Sequence, residues 1–438
     1  MAGPSPRAIR IRTVRPTRPW FRPGTSATVE IGLDVVVGAT VQATVDLLDL
    51  RRVVGRSVAV FRLRPGRHVR TMTVPLPARR RHGYGLRVEL VAPAGRTRAT
   101  TAVEALDGWW ESPRHAAITT FRVPGRTAAA VTDLRDWHVT VVQLYDWMYR
   151  HYRYEPPRGE TFIDTLGQRI SHDAVRAGVR AGHAIGIASL AYGSVYGAEA
   201  EYVATHPDER VFDAHGRPLS LGETFYINDL RDGSPWRRRL LAEYRRAVRH
   251  LGVDGIHMDT YGPPHRAVAA DGTPIDFATL YPGLIADGAA TVAAARVGAR
   301  VLFNCVEGFP LEGVATAPAA ALYLELWPPD DAYGDVVRWI DQARRLGEGR
   351  AVVIAAYISA LRRHETDPQA RRGASEAAVL LTSIIAAAGA YHHVLAERDR
   401  LLVEGYYPEA RPLRSSERRE LRAAWVFTAR YMHLLSDP

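Results

Sequence analysis

Two short apolar runs in this chain end in an acid. Gly255-Ile256-His257-Met258-Asp259-Thr260-Tyr261-Gly262 and Leu322-Tyr323-Leu324-Glu325-Leu326-Trp327-Pro328-Pro329 each set a carboxylate among residues that prefer burial. Read as strands, whose side chains alternate between two faces, the first puts His257 and Asp259 on one face. The second puts Tyr323, Glu325 and Trp327 on one face. A carboxylate at the end of a buried strand is partly desolvated, which costs free energy unless something pairs with it or uses it. If both faces turn inward, two carboxylates from different strands overlook one cleft. Glycoside cleavage needs such a pair: one carboxylate attacks or guides water, and one carboxylic acid protonates the leaving oxygen. Taken singly, each has a structural reading too. Asp259 fits a strand-end cap, and Glu325 fits an ion pair with one of the many arginines.

The neighbouring run ends carry matching chemistry. They show Tyr145-Asp146-Trp147, Tyr192, Asn228-Asp229, Asn304, Tyr357 and Tyr391-His392-His393. Carboxylates, amides and aromatic rings together suit a sugar, because rings stack on pyranose C–H groups while carboxylates and amides bind hydroxyls. Asp146 alone fits a cap, Trp147 and Trp327 fit a core, and the histidines fit backbone hydrogen bonding. Metal chemistry is the competing reading, with His257, Asp259, His392 and His393 as ligands. Neither an H-x-H strand nor an H-E-x-x-H helix is present, so the sequence calls for no metal and no cofactor.

The elements that must position these residues fall into two regions. Residues 1–105 read as all-β: about seven short, alternating segments divided by Pro, Gly and Arg-rich turns, as in an immunoglobulin-like sandwich. Trp109 and Trp110 mark the joint and predict a packing contact between the regions. Residues 106–438 read as a (β/α)8 TIM barrel. Its predicted strands are "HVTVVQLYD", "AIGIASLAY", "TFYIND", "VDGIHMD", "ARVLFNC", "AALYLEL", "AVVIAAY" and "SIIAAAGAY", separated by amphipathic helices. One helix is bounded by Ser234-Pro235 and Gly252, an N-cap with proline and a terminal glycine. A doubly wound sheet is the rival, but no Gly-rich phosphate fingerprint follows any of these strands.

Composition excludes other classes. The 438 residues are 47% hydrophobic and 24% charged, as in a soluble globular protein. The net charge of +10 comes from arginine without any lysine, scattered among acids, and so predicts no nucleic-acid partner. Cys305 is the sole cysteine, which rules out an intrachain disulfide and a thiol-rich metal site. No run is long and apolar enough to span a membrane. The first twenty residues lack an apolar signal core, which predicts a cytoplasmic chain, or a secreted one whose leader has been removed. Oligomeric state is not legible.

"QLYDWMYRH", "GIHMDTYG", "FNCVEGFP", "LYLELWPP", "VVIAAYISA" and the C-terminal "YYPEARPLRSSERRELRAAWVFTARYMHLL" occur in this order. Together they resemble glycoside hydrolase family 66, the family of endo-dextranases and cycloisomaltooligosaccharide glucanotransferases, across most of residues 135–435. The resemblance implies a retaining mechanism on α-1,6-linked glucan, with Asp259 as nucleophile and Glu325 as acid/base. It implies that Asp146 binds sugar hydroxyls in subsite −1. Trp147, Tyr192, His257, Asn304, Tyr323, Trp327, Tyr357 and His392 complete the expected substrate-binding set. Thr260-Tyr261 and Glu307 depart from the family's usual residues beside the sugar. Ending on the last barrel helix, the chain is expected to hydrolyse rather than cyclise. A transglycosylase using the same residues and a non-catalytic sugar-binding barrel are the alternatives.

Overall fold

The computed structural model describes residues 9–93, 95–361 and 368–436. The first eight residues of the predicted β module lie outside them. The chain forms a multidomain, β-rich fold whose two parts differ in how their strands pair.

In the first part, Ile9–Pro16, Ser26–Val35 and Gly66–Pro75 make one antiparallel sheet. Trp20–Phe21, Gly95–Ala105, His82–Ala92, Ala39–Asp49 and Arg52–Leu63 make a second, in that order, so eight strands stand where about seven were expected. The sequence alternation sets which face is buried. Val29, Ile31 and Leu33 of one sheet and Val41, Ala43, Val45 and Leu47 of the other are fully buried in a common core.

The second part is a ring of parallel strands, numbered here β1 (His115–Ile118), β2 (Val141–Leu144), β3 (Ala188–Ser194), β4 (Gly255–Asp259), β5 (Arg300–Val306), β6 (Leu322–Leu326), β7 (Val352–Ala356) and β8 (391–396). Each pairs in parallel with the next. β8 is interrupted: Tyr391–His392 pairs with β7, and Leu395–Ala396 pairs with β1, so the sheet returns to its starting strand. Helices Pro124–Asp133, His172–Ile185, Pro235–Leu251, Phe277–Ala295, Leu311–Thr316, Tyr333–Leu346, Pro368–Ala387 and Ser415–Leu435 follow the eight strands in turn. Pro235–Leu251 begins and ends as the sequence predicts. Ser234 Oγ accepts from the Arg237 amide at 3.2 Å, Pro235 occupies the first helical position, and Gly252 closes the helix in the left-handed conformation.

Three assignments differ from the sequence reading. "TFYIND" is not a ring strand: Phe225–Ile227 pairs antiparallel with Gly197–Glu199 and Ser220–Leu221 in a small separate sheet. Its place is taken by β1, whose sequence His-Ala-Ala-Ile is too short and too poor in β-branched residues to announce a strand. "SIIAAAGAY" is helical through Ala387, because its alanines favour helix more than Ile384 and Ile385 favour strand.

The two parts share a buried ion pair. Arg114, just before β1, grips Glu104 of the last N-terminal strand with both terminal nitrogens, Nη1 at 2.8 Å. Ser112 Oγ donates to the same carboxylate at 2.7 Å, and Arg114 Nε donates to the His138 carbonyl at 2.6 Å. The two tryptophans pack on the ring instead of on the N-terminal sheets: Trp109 is buried against His115, and Trp110 lies 3.8 Å under the Arg300 guanidinium. Replacing Arg114 by methionine leaves the Glu104 charge buried without a counter-ion. The expected result is a loss of roughly 3–5 kcal/mol, read as an earlier urea transition. An unchanged transition would mean that the pair does not join the two parts.

Candidate active site

β4, β5 and β6 are neighbours, and their alternate residues face the ring interior: His257 and Asp259, Leu302 and Asn304, Tyr323 and Glu325. Asn304 therefore stands between the two acids on the middle strand. Its single Nδ2 donates to Asp259 Oδ1 at 2.7 Å and to Glu325 Oε2. Two hydrogen bonds from one nitrogen hold those oxygens within about 6 Å of each other. Trp327 Nε1 donates to the other Glu325 oxygen at 3.2 Å. Gly405 closes over this pair. A Cβ there would lie 2.6 Å from Trp327 Cζ2 and 3.2 Å from Glu325 Oε1, so a side chain would displace the indole.

The acids sit in a cleft of about 520 Å³. Tyr145, Asp146, Tyr192, Asp259, Glu325 and Trp327 line it from the strand ends, His151, Tyr261 and Tyr406 from the loops, and Phe225 from the small side sheet. Burial raises the pKa of Asp259, opposed by its hydrogen bonds to Asn304 and Tyr192. Burial raises that of Glu325 further, and the Asp259 charge adds to it. The two sites thus separate in proton affinity, and Glu325 holds its proton to higher pH. Burial also lifts Asp146 to about 7, opposed by His151 and reinforced by Asp164 and Asp259. Asp146 has φ +47°, a left-handed turn after β2 that aspartate tolerates better than most residues.

The predicted residues divide by position. Asp146, Tyr192, Asp259, Glu325 and Trp327 line the cleft, with Asn304 bridging the acids at its floor. His257 and Tyr323 lie among the buried residues of the ring, edge to face at 4.8 Å, with Tyr323 Oη 2.9 Å from His393 Nδ1. Tyr357 backs the Trp327 ring at 4.7 Å, and its hydroxyl donates to Tyr407 Oη at 3.3 Å. Trp147 does not line the cleft: its Nε1 donates to the Tyr192 carbonyl at 3.0 Å while its ring packs on Tyr154 and His172. His392 faces the other way as well, with Nδ1 2.8 Å from Thr382 Oγ1 on helix Pro368–Ala387. On that strand the alternation points Tyr391 and His393 inward and His392 outward.

Sequence reasoning missed His151, Phe225 and Tyr406 as wall residues. All three belong to loops or to the small side sheet, where no periodicity marks a facing direction. Tyr261 carried a signal in Gly197: a Cβ on that glycine would lie 1.9 Å from Tyr261 Oη, so the glycine makes room for the phenol. Among the described residues, one group of ligand-type side chains converges closely enough to hold a metal: Asp49, His82 and His433, between the N-terminal part and helix Ser415–Leu435. No helix among them is long and apolar enough to cross a membrane.

The fold has solved counterparts. Over 98% of this chain and 82% of the other, the structure matches a cycloisomaltooligosaccharide glucanotransferase from Paenibacillus sp., solved with cycloisomaltoheptaose, at TM-score 0.87 and 19% identity. A more distant likeness is to α-L-fucosidase isoenzyme 2 from Paenibacillus thiaminolyticus, with TM-score 0.51 and 15% identity over 74% of this chain and 50% of that one. In sequence, the chain is 28% identical over 315 residues to a cycloisomaltooligosaccharide glucanotransferase of Niallia circulans. That match covers 66% of this chain and 32% of the relative, so the chain spans about a third of the relative's length. The pattern of glycosyl hydrolase family 66 matches residues 18–438, and the chain belongs to that family.

Proposed function

We propose that the protein is a retaining glycoside hydrolase of α-linked glucan, with dextran-like α-1,6 linkages as the preferred substrate. One observation carries this reading: a single Asn304 nitrogen hydrogen-bonds both Asp259 and Glu325. It brings one oxygen of each acid within about 6 Å of the other, which suits the short separation of a retaining pair, about 5–5.5 Å between carboxyl groups. Asp259 attacks the anomeric carbon while Glu325 passes its proton to the departing oxygen. A glycosyl ester forms on Asp259, and Glu325, now a carboxylate, takes a proton from water as that water cleaves the ester. Asn304 steadies both acids, Trp327 holds Glu325, and Asp146 and Tyr192 offer polar atoms to the sugar in the cleft. Nothing in this sequence of steps calls on a cofactor.

The same reading takes the parallel ring as a (β/α)8 barrel, supported by its eight strand–helix repeats and the return of β8 to β1. It takes the two N-terminal sheets as an immunoglobulin-like sandwich, and it puts the boundary between residues 105 and 106. Separate buried cores on either side support that boundary, one running from Ile9 to Ala105 and the others beginning at Trp109 and Ala116.

The test is a panel of α-glucans incubated with the protein and followed by proton NMR. The expected result is cleavage of α-1,6-linked chains with the α-anomer released first. Release of the β-anomer would overturn the retaining assignment. New glycosidic linkages at high substrate concentration would instead identify a transglycosylase, as the names of the relatives imply for them.

A further inference from the structure

His151 stands in the cleft wall, yet none of the chemistry above uses it. It is 6% exposed, and its ring packs edge-on against Phe225 at 4.3 Å and Tyr192 at 6.2 Å. Its Nδ1 lies 3.0 Å from Glu199 Oε1, on the small sheet beside the cleft. The His151 backbone N–H donates to the same oxygen at 2.9 Å, and Thr165 Oγ1 donates to it at 2.6 Å. Two donors already point at this oxygen, which marks it as an accepting carboxylate oxygen, so Nδ1 meets it as an N–H donor. Nε2 is then the nitrogen left for the cleft.

The charges around the ring settle which form it takes. Asp146 and Asp164 act on it from the loops after β2, Glu199 from the side sheet, and His151 acts in turn on Asp259 at the end of β4. The neighbouring cation, Arg150, is engaged elsewhere: its Nε donates to Glu201 at 3.0 Å, and its guanidinium lies 4.1 Å over the Tyr149 ring. A buried imidazole facing several acids and hydrogen-bonded to one of them is more stable as the imidazolium.

We propose that Glu199 holds His151 as a cation whose Nε2–H donates to a substrate hydroxyl and whose charge favours the ionised forms of Asp146 and Asp259 while Glu325 stays protonated. This rests on the glycosidase reading of the two acids. His151 contacts substrate, and Glu199 is a positioning residue that acts through it. The directions of the proton affinities agree. Burial pulls His151 down, but the Glu199 hydrogen bond and the surrounding acids outweigh it and leave its pKa raised. Burial pushes Glu199 up, but His151 and Thr165 outweigh that and bring it to about 2. Like-signed acids in one cleft would otherwise raise one another and protonate together near neutral pH. A fixed cation that acts on Asp259 separates the nucleophile from the acid in proton affinity.

The experiment compares wild-type protein with Glu199→Gln, which keeps the shape and removes the charge. Histidine-selective NMR labelling, assigned with His151→Asn, gives the titration of His151 directly. In the wild type, His151 is expected to titrate above the ordinary histidine value of about 6.5. In E199Q its proton affinity should fall at least tenfold. On an activated α-glucoside, kcat/KM of E199Q should fall roughly 10- to 100-fold, the effect of one lost charge-assisted hydrogen bond. Its acid limb should also move to higher pH, a shift that a merely structural role for Glu199 would not produce. An ordinary His151 titration in the wild type overturns the proposal, as does an acid limb at the same pH in both proteins. If the wild type cleaves no glycoside at all, the functional reading falls. The His151 titration, which needs no turnover, then decides by itself whether Glu199 holds a cation.

Discussion

Asp259→Ala loses roughly 10⁴-fold or more of its turnover, the expected consequence of removing a nucleophile that no neighbour can replace. Asn304 and Tyr192 hydrogen-bond the carboxylate, but the first is a neutral amide and burial keeps the second a neutral phenol, so neither is an anionic nucleophile. The decisive result is what added azide does. Truncation leaves a space under the sugar's β face, and azide placed there displaces an activated leaving group from an α-glycoside directly. One displacement inverts, so the product is a β-glycosyl azide. In the wild type, a 2-fluoro glycoside should accumulate as an ester on Asp259, detectable by mass spectrometry of the peptide that carries 255–262. An Asp259→Ala variant with wild-type turnover, or a label on another residue, would remove Asp259 from the mechanism. Asp259→Asn is the control for folding, since it keeps the side-chain volume and the Asn304 contact.

The legibility of this site in the sequence follows from what each residue's position depends on. Asp259 and Glu325 could be found because a strand's period of two is strict, and both acids close apolar runs where a charge stands out. That they share one donor was not legible, since it depends on β5 lying between β4 and β6, and on Asn304 facing the same way as both. His392 came from the family resemblance and not from alternation; adjacent residues of a strand point to opposite faces, and His392 takes the outward one, against Thr382. β1 was missed because a four-residue strand of Ala and Ile carries little pattern, whereas the long Val-rich strands of the N-terminal part are plain in the alternation. The pair of His151 and Glu199 lies beyond any local pattern: it joins residues 48 apart, one in a loop and one on a three-residue strand. Periodicity therefore identifies what stands on the ring strands. It says little about the loops that build the walls, and those loops decide which sugar fits.

Glu325→Ala should fail differently from Asp259→Ala, and the difference tests the division of labour between the two acids. Without the acid, a leaving group that needs protonation departs slowly. Turnover of a glucan is expected to fall about 10²- to 10⁴-fold, the usual contribution of general acid–base catalysis. An activated aryl glycoside needs little protonation, so its first step should proceed and the ester on Asp259 should build up. Azide then attacks that ester from the α face, giving an α-glycosyl azide, the opposite anomer from the product of Asp259→Ala. Two displacements retain where one inverts. The pH profile follows the same logic. Glu325 must be protonated and Asp259 ionised for the first step, so wild-type kcat/KM should be bell-shaped, with an acid limb from Asp259 and a basic limb from Glu325. Burial and the Asp259 charge raise the Glu325 proton affinity, which places the basic limb well above the ordinary glutamate range. Glu325→Gln removes a group that loses activity on deprotonation, so the basic limb should vanish while the acid limb stays. A basic limb that survives in Glu325→Gln, or a β-glycosyl azide from Glu325→Ala, would show that the acid is some other group and that the pair joined by Asn304 serves a different purpose.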